Sequence, residues 1–406
     1  MRERKALIIG CGIAGPVAAM FLERAGIRSE IFEARQSPDD EAGAFLNLVP
    51  NGMSVLRTLG IHDEVAAHGF LSTGIEFFSG RGKFLGRIEM GGEERWGVRP
   101  VVIRRGLLNR ALREAAARRG VEIRWGKRLV ALRDEGREGV VARFEDGTES
   151  RGDFVLGCDG IHSRARRSIF PEAREPSYTG VLDSGGFARV PDLPPTGPAM
   201  RMIFGRRAFF GYTTTPTGEV YWFSNHHRKR APERGELERI PDAEWRRRLL
   251  ELHEGDPEPV GRIIRSTERS IGRWAIHDLP SLAAWHRGRV CLLGDAAHAT
   301  SPHVGGGASL AMEDAIVVAR CLRDEPDVET AFATFEAQRR ERVMRLVRYA
   351  RRTGNQKAVS NPILVRIRDR MLPFFLKRAA SSSDWIHAYR VEWEPTVGAP
   401  AGAAAP

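Results

Sequence analysis

Gly10-Cys11-Gly12-Ile13-Ala14-Gly15 follows directly on the apolar run Ala6-Leu7-Ile8-Ile9. A buried strand that delivers a G-x-G-x-x-G turn into a helix opens a βαβ unit built to hold a dinucleotide. Gly10 permits the tight turn, Gly12 lets the backbone approach a pyrophosphate, and Gly15 lets the helix pack close on the sheet. The helix expected over residues 14–25, entered through Ile13 and Ala14, offers unpaired N–H groups and a partial positive charge to phosphate. Gly26 stands just past it, where a C′ glycine belongs. A second strand, Ser29 to Glu33, completes the unit. It sets Glu33 roughly 20 residues on, where an acid binds ribose hydroxyls.

A second signature lies nearly the whole chain away, so the two must meet in space. After the buried-strand run Val290-Cys291-Leu292-Leu293 come Gly294-Asp295-Ala296-Ala297-His298, then Pro302 and Gly305-Gly306-Gly307. Asp295 falls at the carboxyl edge of a sheet, in reach of a ribityl chain. Gly305 to Gly307, with Ala308 and Ser309, open a helix expected to run to Leu322. Its N–H groups would face the pyrimidine edge of a flavin, where the reduced ring carries negative charge. One fingerprint does not separate NAD from FAD, but the pair points to non-covalently bound FAD.

Between these ends the pattern changes twice. A glycine-flanked loop from 42 to 50 leads into a helix from about Asn51 to Leu59, and segment 70–100 alternates like antiparallel hairpins. Arg104 to Arg119 is helical in pattern, with Leu107, Leu108, Ala111, Leu112 and Ala115 on one face. From about Tyr178 to Ile271 the chain reads as a separate aromatic-rich antiparallel sheet. It includes Phe204 to Tyr212 paired with Glu219 to Ser224, and a basic helix from Trp245 to Leu252. After Val328, long basic amphipathic helices run to about Arg378.

The expected fold is therefore mixed α/β. A Rossmann-type FAD-binding domain (1–70, 101–177 and 273–325) is interrupted by an antiparallel-sheet substrate domain (71–100 and 178–272). A helical region (326–394) and a disordered tail (395–406) follow.

Composition narrows the partners. The formal net charge is +11, mostly from arginine, but no aromatic-interleaved basic stripe, zinc spacing or recognition helix accompanies it. The excess reads as a solvated surface, and no nucleic-acid or membrane partner is expected. The four cysteines are scattered without metal or C-x-x-C spacing, as in a reduced cytoplasmic protein. The apolar stretch near the start mimics a signal peptide, but its glycine spacing is better explained by nucleotide binding. His226-His227 is no metal pair, because neighbours on a strand point to opposite faces.

A third motif, Asp159-Gly160-Ile161-His162-Ser163-Arg164-Ala165-Arg166, also reads, at Ser163 and Arg166, as a plain helix start with a structural salt bridge. With it, the chain over residues 5–350 resembles the group A flavoprotein monooxygenases, the para-hydroxybenzoate hydroxylase fold. That family carries the same three motifs in the same order. Glu313-Asp314-Ala315 makes it look most like the salicylate- and urate-hydroxylase branch, and its compact length suits the tetracycline-inactivating relatives.

The resemblance implies Glu33 on the adenosine ribose and Asp295 on the ribityl chain. It sets Arg35 and Arg105 near the FAD phosphates, Asn47 near the ring, and Leu129, Asp159 and Arg166 in the cofactor's surroundings. Ser309 departs from the Asn or Gly common in relatives. Pro302 and His303 are candidates for the reacting face, with no side chain required as a nucleophile. The implied reaction consumes NAD(P)H and O2 and hydroxylates a small aromatic or polycyclic molecule through a flavin C4a-hydroperoxide. No second dinucleotide fingerprint is present, which fits a nicotinamide cofactor that docks transiently. By location alone, Arg207, Tyr212, Trp222 and Asn225 are the substrate candidates. A flavin reductase or dehydrogenase on the same scaffold, or a non-catalytic flavin-binding protein, are the alternatives; a monomer or homodimer is expected.

Overall fold

The structure, a computed structural model, describes residues 4–41, 43–279, 281–302, 305–356, 367, 369–374, 376 and 384–394. The tail from 395, together with Ala42 and His303, lies outside them. Lys5–Ile9 sits inside a six-stranded sheet ordered His286–Arg287, Val290–Leu292, Phe154–Gly157, Lys5–Ile9, Arg28–Phe32, Glu122–Arg124. It pairs in parallel with Arg28–Phe32 on one side and Phe154–Gly157 on the other. Ala6, Leu7 and Ile8 are wholly buried, as a parallel strand covered on both faces requires. The helices Ala14–Arg24 and Gly307–Asp324 pack together beside this sheet. The two glycine signatures thus meet: a Cβ on Gly294 would stand 3.9 Å from the Ala14 methyl and 2.9 Å from that of Ala311.

The aromatic-rich region forms a seven-stranded sheet, ordered Gly272–Asp278, Ser177–Arg189, Glu219–His227, Phe209–Thr214, Ala199–Phe204, Gly74–Ser79, Phe84–Glu89. The early hairpin therefore completes a sheet whose other strands come a hundred residues later. Two expectations shift. Gly272–Asp278 pairs along Ser177–Arg189, so the chain leaves this sheet after Asp278 rather than at 273. The stretch from Phe204 to Tyr212 is two strands and a turn. There Asp256 accepts the Arg206 backbone N–H at 2.9 Å, and the strands on either side of the turn pair antiparallel with each other.

A small sheet of Phe45–Leu48, Val101–Arg104 and Gly69–Leu71 joins the two layers. Strand alternation explains how: Val101 and Ile103 enter the main core, whereas Val102 enters the apolar cluster on the seven-stranded sheet. Likewise Leu46 and Leu48 face the main core, and Phe45 faces the sheet.

Candidate active site

The glycine turn is held from behind. Gly10 has φ +105°, and a Cβ there would meet the Cys158 carbonyl oxygen at 2.5 Å, so no other residue fits without backbone movement. A Cβ on Gly15 would collide with the Gly10 carbonyl, whereas one on Gly12 would meet nothing within 4 Å. Gly12 thus borders open space of the kind a phosphate would enter. Behind it, Asn109 donates to the carbonyls of Cys11 at 2.7 Å and Gly12 at 2.9 Å, and Arg113 donates to the Asn109 oxygen at 2.9 Å. Both belong to the helix Arg105–Arg118, and sequence reading missed them. The available signal was an amide four residues before an arginine on a helix beside the turn.

Glu33 accepts the backbone N–H groups of Cys11 at 2.7 Å and Arg35 at 3.0 Å. It clamps the turn while keeping further acceptor capacity. The Arg35 side chain is exposed, and the Cys11 thiol is pushed up to about 12, chiefly by burial.

Asp295 is exposed, yet protein surrounds it closely enough that burial raises its carboxyl above the ordinary range, with Arg105 and His298 partly opposing the shift. An exposed carboxylate beside both glycine signatures marks the candidate cleft. No protein group among the described residues donates a hydrogen bond to it. Arg105 lies beside Gly43 and is itself exposed.

Across from Asp295 starts the 18-residue helix Gly307–Asp324, with Gly305 beside Asn47: a Cβ on Gly305 would stand 4.0 Å from that of Asn47. Asn47 Oδ1 is buried and unbonded, as is Ser309 Oγ. Pro302 is exposed, and its carbonyl accepts the Gly305 N–H at 3.0 Å. Gly307 and Ala308 form the first turn of the helix.

The third motif locks these parts together. Asp159 accepts from Ser163 Oγ at 2.5 Å and from the N–H groups of Arg164 and Ala165 at 2.7 and 3.0 Å, and Ser163 caps the helix at Arg166 N. Burial raises the Asp159 carboxyl, and these hydrogen bonds counter the rise. The Arg166 guanidinium bonds backbone carbonyls rather than forming a salt bridge. Leu129 is buried, and its carbonyl accepts from Arg164 at 2.9 Å.

A buried ionic cluster latches the second signature. Asp314 accepts from the Gly294 N–H at 2.9 Å, from His298 Nε2 at 2.6 Å and from Arg339 Nε at 2.8 Å. Glu313 accepts from Asn51 at 2.7 Å and pairs with Arg339 and Arg342. Burial alone would raise both carboxyls; the facing arginines, with His298 at Asp314, hold them below the ordinary range. His298 is thus a holder of the motif. The sequence signal for this cluster was opposite charge on the apolar faces of two helices.

Of the four substrate candidates, only Asn225 lies on the seven-stranded face that looks toward Phe45 and Phe70, and it donates to Asp183 at 2.9 Å. Trp222 and Tyr212 face the opposite core, where Trp222 stacks on Phe210 and donates to Thr267 at 3.0 Å. Arg207 sits in an exposed turn, bonded to the Glu251 carbonyl. The structure does not bring these three to the cleft, because both faces of this sheet are buried and apolar residues line each one. The cleft-side face carries Phe187, Phe209, Tyr221 and Phe223, against Phe45 and Phe70. Arg104 lies over Phe187 at 4.1 Å and bonds the Tyr221 hydroxyl at 3.3 Å and Glu219.

A flavin-dinucleotide fold with this arrangement defines a class, and comparison with known proteins agrees. Residues 3–350 match the FAD binding domain family model. The chain belongs to the FAD-dependent aromatic-ring monooxygenases, as the three motifs implied. It is 34% identical over 374 residues to the aurachin C monooxygenase/isomerase of Stigmatella aurantiaca, covering 90% of this chain and 93% of that one. It is 30% identical over 411 residues to the "Probable 2-heptyl-3-hydroxy-4(1H)-quinolone synthase AqdB2" of Rhodococcus erythropolis, covering 99% and 100%. The structure of Klebsiella pneumoniae HpxO complexed with FAD and uric acid superposes with a TM-score of 0.83 at 26% identity, covering 93% and 96%. FAD is the cofactor, and the chain is an enzyme of the hydroxylase type.

Proposed function

We propose that this monooxygenase uses NAD(P)H and O2 to hydroxylate an apolar aromatic or polycyclic small molecule seated between the flavin site and the seven-stranded sheet. The carrying observation is the cleft-side wall of Phe45, Phe70, Phe187, Phe209, Tyr221 and Phe223. Its polar groups are few and already engaged: Asn225 with Asp183, and Tyr221 with Arg104. Such a wall suits a ring system with aliphatic substituents better than a polar purine. The relative named for a heptyl-substituted quinolone points the same way.

When bound, FAD supplies the redox and oxygen chemistry. The protein's share is grip, shielding and orientation. The Gly10 to Gly15 turn and the helix start at Ala14 take the pyrophosphate. Glu33 takes the ribose and Asp295 the ribityl hydroxyls. The helix start at Gly307, with Asn47, would hold the pyrimidine side of the flavin and favour negative charge there. The aromatic wall excludes water and orients the reacting carbon.

The test is NAD(P)H oxidation and oxygen uptake by the purified holoenzyme with a 2-alkyl-4-quinolone, simple phenols and urate. Faster oxidation with the alkylquinolone and a product heavier by one oxygen atom are expected. A reduced product formed equally well without oxygen would replace this reading with a reductase.

A further inference from the structure

Strand alternation separates two neighbouring arginines. Val101–Arg104 is the middle strand of the small sheet, and the helix Arg105–Arg118 begins at the next residue. Arg104 therefore points with Val102 toward the seven-stranded sheet, whereas Arg105 stays exposed beside Gly43. The Arg104 guanidinium lies 4.1 Å from the centre of the Phe187 ring and 5.5 Å from that of Tyr221. Its Nε donates to the Tyr221 hydroxyl at 3.3 Å, and its Nη2 pairs with Glu219. Nη1 has no hydrogen-bond partner among the described residues, and 24% of the side chain remains exposed. Around it Phe45, Phe70, Phe187 and Phe223 are each only partly buried. The charge on this face is already balanced. Glu219 holds Arg104, and Asp183 on the same face holds Asn225. Arg189, opposite Glu219 in the register, is exposed and bonds the Thr217 carbonyl at 3.4 Å.

We propose that Arg104 is a specificity-determining residue whose Nη1 donates to a neutral oxygen on the substrate ring, while the Arg104–Glu219 pair turns away ring carboxylates. An arginine has five N–H donors in a fixed fork, and here two of its three nitrogens are committed. The third can still donate, and an apolar wall makes that single bond selective: a ligand lacking the oxygen leaves the donor unpaired. Charge decides which oxygen. A guanidinium already matched by a carboxylate has little left to offset a second, desolvated one, and Glu219 would repel it. A ketone or hydroxyl oxygen brings no such cost. The bond would also fix the rotation of the ring in the cleft, so that one carbon is presented for oxygenation. This inference rests on the substrate reading above and deepens it: the substrate is an apolar ring system bearing a neutral oxygen, rather than an aromatic acid.

The test is equilibrium binding to the oxidised FAD-loaded enzyme at neutral pH, followed by the change in flavin absorbance. Three ligands share one alkyl chain and one ring system: a 2-alkyl-4-quinolone, the 2-alkyl-4-methylquinoline and the 2-alkylquinoline-4-carboxylate. Wild type should bind the quinolone about tenfold or more tighter than the methyl analogue, and the carboxylate no better than the methyl analogue. Arg104→Met should weaken the quinolone about tenfold while moving the methyl analogue less than about twofold, and Arg104→Lys should restore part of the preference. Glu219→Gln, which keeps the arginine and frees its charge, should tighten the carboxylate about fivefold or more. It also decides the matter if Arg104→Met does not fold. Equal loss of all three ligands in Arg104→Met would make the residue merely structural and overturn the proposal. So would a carboxylate unmoved by Glu219→Gln, or a wild type that binds quinolone and methyl analogue alike. That last result leaves the apolar-substrate reading standing. If wild type binds none of the three, that reading has failed and the assignment of Arg104 falls with it.

Discussion

Arg166, wholly buried, donates at 2.9 Å to the carbonyl of Ala296, the residue that follows the Asp295 carboxylate. Its other Nη donates to Ile161 at 2.7 Å. The guanidinium thus fastens the third motif to the second. Arg166→Met should keep the packed stem but strand two buried carbonyls, at about 1–3 kcal/mol each. Urea unfolding should show a loss of about 2–5 kcal/mol, and FAD should be shed on gel filtration. Unchanged stability and full flavin content would remove the fastening role.

Two glycines in one turn should separate binding from folding. Gly12→Ala places its methyl in open space, so the apoprotein should melt within about 1 °C of wild type. Its FAD Kd should rise about tenfold or more, about 1.4 kcal/mol. Gly15→Ala drives a methyl into the Gly10 carbonyl and should destabilise the apoprotein itself by about 1–3 kcal/mol. Thermal melts and flavin titrations of both variants distinguish the two roles; identical behaviour would refute them.

Glu336 gives a pH prediction. Burial would raise its carboxyl, but His286 Nδ1 at 2.8 Å, the Trp285 N–H at 2.8 Å and Arg340 pull it down to about 2. A depressed carboxyl lends stability that is present above its unfolded pKa of about 4.3 and lost as pH falls toward the folded value. Glu336→Gln should therefore cost about 1–2 kcal/mol at neutral pH, after allowance for solvent screening. The gap from wild type should close progressively below about pH 4. Urea midpoints across that range check it, and a gap independent of pH would speak against the ion pairing.

The two faces of the aromatic sheet should respond differently. Trp222→Phe removes a buried ring and its bond to Thr267, and should cost about 1–3 kcal/mol while leaving KM unchanged. Phe223→Leu, on the cleft side, should cost less than about 1.5 kcal/mol but raise KM about 3- to 10-fold. If Trp222→Phe moved KM and Phe223→Leu did not, the proposed wall would be on the wrong face.

That contrast also shows where sequence reading stopped. The glycine turn was legible because its requirements are local: a strand, a fixed spacing and a helix start. The early hairpin was legible as strands, although its place in a sheet formed a hundred residues later was not. Trp222 and Tyr212 were chosen for residue type, and a sheet buried on both sides has no polar–apolar alternation to tell one face from the other. Arg104 and Asn109 matter through contacts with strands and turns distant in sequence. The pairing of Asp314 with Arg339 was hidden for a further reason: each sits in a helix that appears merely amphipathic or charged until the two pack together.

The latch formed by Arg339 and Arg342 on Glu313 and Asp314 also bears on how the enzyme is made. A nascent chain exposes its glycine turn early, but these arginines leave the ribosome only after some 330 further residues. At ordinary elongation rates that interval is on the order of half a minute. Until then the Gly294 loop lacks the charge cluster that holds it. Cofactor capture therefore belongs to the end of synthesis, and a chain stalled short of Arg339 would carry the nucleotide turn without the means to close on its flavin.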